Sequence, residues 1–187
     1  MASTKREQLL NTALELFYRE GYHSTGIDRI LAESGVAKMT LYKHFKSKDE
    51  LILAALQTQH EEISERMRRA QQRLTPREAI LGAFDGVHRW LHEQGFCGCL
   101  FLHAAAEFHD RSNPIHLQAA EQKRFVLTYF RTALESLGVG EAEAEALAAQ
   151  LQFLVEGAIS MAHIYGPGDQ ALQAKAAAER LLAAAGV

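Results

Sequence analysis

Apolar residues along this chain return at intervals of three and four, the repeat of a helix with one buried side, and alternating strand-like runs are hardly present. Leu10, Ala13, Leu14 and Phe17 show the pattern first, at i, i+3, i+4 and i+7, with Gly21 following as a left-handed stop. Helix starts are marked as clearly. Thr4, Thr25, Ser47 and Thr75 are each followed three residues later by an acid (Glu7, Asp28, Glu50, Glu78), so a hydroxyl and a carboxylate stand ready to cap a first turn. Pro76 reinforces the Thr75 signal, because its missing N–H costs nothing at the first helical position, and Asn113 with Pro114 repeats the logic. The pattern predicts helices near 4–20, 26–33, 38–44, 48–72, 76–93, 98–109, 114–137, 142–164 and 169–185. An all-α chain of about nine helices is expected, with neither a low-complexity linker nor a repeat.

Composition narrows this picture. With 187 residues, 48% of them hydrophobic, the chain suits a small head sharing a core with a larger helical body. No apolar run of about 18 residues stands out as a bilayer span, and the charged start Lys5-Arg6-Glu7 leaves no room for an apolar signal region. The expectation is a cytoplasmic protein with no membrane partner. Cys97 and Cys99, separated by one glycine, are too close in sequence to staple a fold and are expected to be reduced. The net charge of -3 hides an asymmetry: residues 1–48 carry 8 basic and 5 acidic groups, a balance of +3, which leaves -6 for the remainder. Basic surface confined to one end suits a nucleic-acid contact there.

Residues 25–48 carry the most information. A short helix with Ile27, Ile30 and Leu31 on one side ends at Ser34-Gly35, and a second begins almost at once with Leu41 and Phe45 facing inward. Two short helices joined by a glycine turn make a helix-turn-helix. At about 100° per residue, Met39 and Lys43 lie opposite Leu41, flanked by Thr40 and Tyr42. A helix pressed into a major groove needs such donors and methyl groups for base edges, and cations or hydroxyls for phosphates, and Lys38, Lys43, Lys46 and Lys48 supply the cations.

The stretches Thr25-Gly26-Ile27-Asp28-Arg29-Ile30-Leu31-Ala32, Gly35-Val36-Ala37-Lys38-Met39-Thr40-Leu41-Tyr42-Lys43-His44-Phe45 and Ser47-Lys48-Asp49-Glu50-Leu51 together resemble the signature of the tetracycline-repressor (TetR) family. The resemblance covers roughly residues 5–55. It implies a three-helix DNA-binding head over 1–47, a helical ligand-binding and dimerisation body over 48–187, and a recognition helix at Lys38 to His44. It places Thr40, Tyr42 and Lys48 on phosphates and Met39 and Lys43 nearer the bases, with Thr25, Lys38 and His44 completing the expected contact set. Ala37 departs from the pattern, since many relatives carry a serine cap there, worth about 1 kcal/mol.

So small a head reads DNA far more tightly as a symmetric pair, so a homodimer on a palindromic double-stranded operator is expected. Leu147, Leu151, Leu154 and Ala158 on one late helix, with Ala174 and Ala178 on the next, are the expected seam, through which small residues let helices approach. The resemblance implies the same placement. It also implies an effector pocket in the body, for which the aromatics Trp90, Phe101, Phe125 and Tyr129 are the candidate lining. His103 and Glu107, four apart on one helix, and His163 add polar groups that suit an unidentified small molecule. His88 and His92 are a second such pair; no cofactor and no metal site is assigned. The expected function is a ligand-responsive repressor that is not an enzyme, with a helical homodimer of enzymatic or structural role at His103 and Glu107 left as the alternative.

Overall fold

The computed structural model describes residues 4–187, and among them it has nine helices and no strand. They are α1 (Lys5–Glu20), α2 (Ile27–Ser34), α3 (Lys38–His44), α4 (Lys48–Arg73), α5 (Pro76–Leu91), α6 (Leu100–Glu107), α7 (Pro114–Ser136), α8 (Glu141–Tyr165) and α9 (Gln170–Ala184). Each falls within a few residues of its expected span. Capping explains why: the Thr4 and Thr75 hydroxyls accept from Glu7 N and Glu78 N, and both carboxylates reach back to the cap amides. Ser47 accepts from Glu50 N at 3.1 Å, and Asn113 Oδ1 accepts from Ile115 N at 2.8 Å beside Pro114. The fourth expected cap fails. Thr25 lies outside α2, whose N-cap is Gly26 with no side-chain bond, and its hydroxyl donates backward to Gly21 O at 2.7 Å.

The chain divides into two compact units, with borders inside α4 and α7. The first takes the chain through Glu62 together with Leu100–Gln122. Its core is built on the inner side of α1, where Leu9, Leu10, Ala13, Leu16 and Phe17 meet Tyr22, Ile30, Leu41, Phe45, Leu51 and Ile52, all buried. At the end of α1 the chain turns through Gly21 at φ +85°, and a Cβ there would stand 3.1 Å from Glu107 Oε1. The positive φ favours glycine, and a side chain there would also have to displace the Glu107 carboxylate. The Glu107 carboxylate accepts from Tyr22 N at 2.9 Å and from His23 N at 2.6 Å. Tyr22 stacks on Phe17 and donates its hydroxyl to Leu100 O at 3.0 Å, while the His23 ring lies against Phe108. Both ends of α6 are therefore fixed to the corner between α1 and α2.

The second unit takes Ile63–Cys99 and Lys123–Val187. Here α9 packs on α8 and α5, presenting Ala171, Ala174, Ala178 and Leu182 inward, and α8 answers with Leu147, Ala148, Leu151, Val155, Ala158, Ile159 and Ala162. Lys175 on α9 donates to both Asp85 oxygens on α5 at 2.8 Å. These contacts bear on two sequence expectations. By length and composition α8 is apolar enough to cross a membrane, its most apolar stretch having a mean hydropathy of 1.2, although no span was expected; in this unit it packs on α9 and α5. Leu147, Leu151, Ala158, Ala174 and Ala178, expected at a dimer seam, are buried against their own chain, and Leu154 is half-buried.

Replacing Glu107 by Gln keeps one acceptor and turns an amide donor toward the other backbone N–H, leaving one of the two donors unmatched. The expected cost is about 1–3 kcal/mol, read as a lower urea midpoint at unchanged slope. At the start of α5, Thr75 donates from its backbone and hydroxyl to Glu78, and these bonds hold the Glu78 carboxyl below its usual range. A lowered folded pKa contributes stability above the unfolded value, and that contribution disappears as pH falls through the folded value. Thr75→Ala is expected to cost about 1 kcal/mol at neutral pH, and the difference from wild type should shrink on acidification.

Candidate nucleic-acid interface

The interface is built from α2, the turn after it, and α3. Gly35 closes α2 at φ +65°, its amide donating to Leu31 O at 2.9 Å, and Ser34 Oγ accepts from Val36 N at 3.3 Å. From α1, Gln8 donates to Ser34 O at 2.8 Å, which fixes the turn to the floor beneath it. Ala37 caps α3 without any side-chain bond, as its departure from the pattern implied, so α3 depends on packing. Leu41 and Phe45 are buried below it, and the Arg6 guanidinium lies 5.3 Å from the Phe45 ring centre.

With Leu41 and Phe45 inward, the opposite side of α3 is turned to solvent. Met39 is 83% exposed and Tyr42 46%, Lys43 is exposed, and these three line an open depression with Thr40. Among the described residues, none of these four side chains has a hydrogen-bond or ion-pair partner. Lys38 is exposed and 3.3 Å from Asp28, in a pair open enough to water to hold the lysine only weakly. Lys48, half-buried at the start of α4, donates to His23 O at 3.2 Å, and His44 is half-buried near the end of α3. Thr25 does not join them: it is fully buried and its hydroxyl is committed to Gly21 O.

The residues expected to line a pocket are divided between the units. Phe101, His103 and Glu107 belong to the first; Trp90, Phe125, Tyr129 and His163 belong to the second. Phe101 is buried, His103 is half-buried, and Glu107 is engaged by the two backbone amides described above. In the second unit Trp90 meets Phe96 edge to face, the Arg68 guanidinium covers Phe125, and His163 is exposed. Tyr129 is buried with its hydroxyl donating to Ala79 O at 3.0 Å, and burial pushes its pKa up to about 12. The His88 and His92 rings lie tilted against each other, 4.5 Å apart, near the end of α5, where His92 Nδ1 donates to the His88 carbonyl.

Sequence reasoning missed two polar groups that the first unit buries. Gln118 and Gln122, one turn apart on α7, are 7% and 4% exposed. Gln122 Oε1 accepts from His60 Nδ1 on α4, whereas the Gln118 amide has no hydrogen-bond partner among the described residues. The i, i+4 spacing of two glutamines was the available signal, but glutamine on a helix ordinarily marks a solvated side.

Comparison with known proteins completes the case. Residues 9–55 match the family of bacterial regulatory proteins of the tetR type, and residues 76–177 match the C-terminal domain of LmrA/YxaF-like transcriptional regulators. The transcriptional activator FasR of Mycolicibacterium smegmatis is 42% identical over 88 residues, which are 44% of this chain and 40% of that protein. LmrA of Bacillus subtilis, a transcriptional regulator, is 28% identical over 163 residues, 82% of this chain and 84% of LmrA. The crystal structure of SCO4454, a TetR-family regulator from Streptomyces coelicolor, superimposes with a TM-score of 0.91 at 31% identity, covering 97% of this chain and 95% of that one. With matches spanning both the helix-turn-helix and the helical body, and none of these relatives an enzyme, this chain is a member of the TetR family of helix-turn-helix transcriptional regulators.

Proposed function

We propose that this regulator is a homodimeric repressor that occupies a palindromic operator and leaves it when a small molecule binds the helical body. In this reading residues 1–47 are the DNA-binding part, 48–187 the ligand-binding and dimerisation part, and the protein works in the cytoplasm. The observation that carries it is the outward side of α3: Met39, Thr40, Tyr42 and Lys43 have no hydrogen-bond or ion-pair partner among the described residues and combine apolar, hydroxyl and cationic groups. Thr40, Tyr42, Lys38 and Lys48 suit phosphates, Met39 and Lys43 suit base edges, and His44 lies at the margin. Thr25 contributes through the α1–α2 corner and makes no contact with DNA.

TetR-family regulators typically act as homodimers. The exposed row Phe153, Met161 and Ile164 on α8, with Leu172 on α9, supports a seam there in place of the residues expected from sequence. For the effector, the buried Gln118 and Gln122 of α7, with Gln122 bonded to His60, support a polar contact in the first unit. The corner at His23 supplies the coupling: its amide is held by Glu107 of α6 and its carbonyl by Lys48 of α4. A ligand that moves either helix alters the attitude of α2 and α3, provided it binds the two arrangements with different affinity.

A gel shift with the DNA upstream of its own coding sequence tests the reading. Wild type should bind specifically with an affinity that falls steeply with salt, and replacing Tyr42 and Lys43 together by alanine should lower it by about tenfold or more at unchanged helical content. Sequence-independent binding, or a double variant that shifts DNA like wild type, contradicts the proposal. The seam is tested by Phe153→Asp, which adds a charge at an exposed position: sedimentation should change from dimer to monomer, and a persisting dimer places the seam elsewhere.

A further inference from the structure

One cluster in the second unit has no part in this reading. Cys99 Sγ lies 3.3 Å from Lys123 Nζ on α7, and the same ammonium donates to both oxygens of Glu156 on α8, at 2.7 and 2.8 Å. One turn earlier on α8, Gln152 donates to the Lys123 carbonyl at 2.9 Å, so α8 fixes the backbone as well as the head of this lysine. Cys99 is 6% exposed, whereas the Lys123 and Glu156 side chains are each 27% exposed. The thiol thus lies just beneath an ion pair that meets solvent. Burial works against a charge on Lys123, but the Cys99 sulfur and the Glu156 carboxylate outweigh it, and the lysine is held above its usual range.

A lysine-carboxylate pair is complete with two residues, and here a third donor direction is aimed at sulfur. A thiol beside a fixed cation becomes a nucleophile because the cation favours the negative charge that sulfur carries as it attacks. Burial selects the reagent: only a small, uncharged molecule reaches sulfur beneath the ion pair without losing hydration. We propose that Cys99 captures small uncharged electrophiles of the α,β-unsaturated carbonyl class, with Lys123 as the cation that favours the attacking sulfur and relays its proton, and that the adduct is a covalent input to the regulator.

In this step the sulfur forms a bond to the β-carbon of the electrophile, and the π pair of the C=C bond moves toward the carbonyl. The α-carbon then takes up a proton from Lys123, which recovers the one shed by the thiol. In sum an S–H bond and a C=C π bond are replaced by S–C and C–H bonds, and nothing leaves. Cys97 provides an internal comparison: it lies two residues away and is more exposed, so access alone favours Cys97 and activation favours Cys99.

The test is a time course of the full chain with limiting methyl vinyl ketone, read by peptide mass spectrometry. Cys99 should react about tenfold faster than Cys97, Lys123→Met should remove that advantage, and Lys123→Arg should retain most of it. Glu156→Gln, which frees the ammonium for sulfur, should speed the reaction at Cys99. A purely structural ion pair loosens on either substitution and changes both rates in the same direction, and that result, or faster labelling of Cys97, overturns the proposal. Its regulatory half rests on the DNA-binding reading: adducted protein should lose the upstream gel shift and Cys99→Ser should keep it during treatment, while adduct formation with unchanged binding refutes the input. Failure of the untreated protein to bind DNA counts against the proposed repressor and leaves the labelling rates to decide the thiol chemistry.

Discussion

The first unit depends on one carboxylate. Where α1 ends, the chain turns through Gly21 and leaves the amides of Tyr22 and His23 without a helical carbonyl to receive them. Donors orphaned at a helix end call for a partner, and no local side chain serves these two. Glu107, 85 residues from Tyr22, accepts both, and a charged acceptor makes stronger bonds than a neutral one. Lys48 grips the carbonyl of the same His23. A single peptide corner is thereby held from opposite sides by the last residue of α6 and the first of α4. The direction in which α2 leaves that corner, and hence the direction in which α3 faces, follows from it.

The sequence was most informative wherever the physics is local. Helix spans followed from three- and four-residue spacing, and three of the four expected capping positions are used because a hydroxyl finds the amide three residues on without help from elsewhere. Thr25 shows where local reasoning stops. Its hydroxyl had a competing acceptor in Gly21 O, available only because α1 ends in a left-handed turn that brings that carbonyl close. The outward side of α3 was legible for a related reason: Leu41 and Phe45 define an inside, and what lies opposite them must face solvent or a partner.

The body was less legible because its decisive contacts join distant positions. A helix as apolar as α8 offers two sides that read alike in sequence, one carrying Leu147, Leu151 and Ala158, the other Phe153, Met161 and Ile164. Which side pairs with α9 and α5 is settled by the fit of small residues, since the alanines of α9 allow close approach only where α8 is matched to them. Glu107 shows the same limit. Its spacing from His103 suggested a ligand, whereas its partners are backbone amides that no side-chain motif encodes. Gln122 likewise meets His60 across 62 residues.

The weakness of α3 taken alone bears on how the head works. Seven residues without a side-chain cap do not hold a helix in water, where even chains of about 12 residues are marginal. What holds α3 is Leu41 and Phe45, each contributing roughly 1.5–3 kcal/mol when fully buried, which exceeds the loss of about 1 kcal/mol at Ala37. The side of α3 offered to DNA is therefore only as well ordered as the apolar floor beneath it. Core changes at Leu41 or Phe45 reach the DNA-facing side without touching it, and a serine at position 37 would strengthen the helix while leaving that surface unchanged.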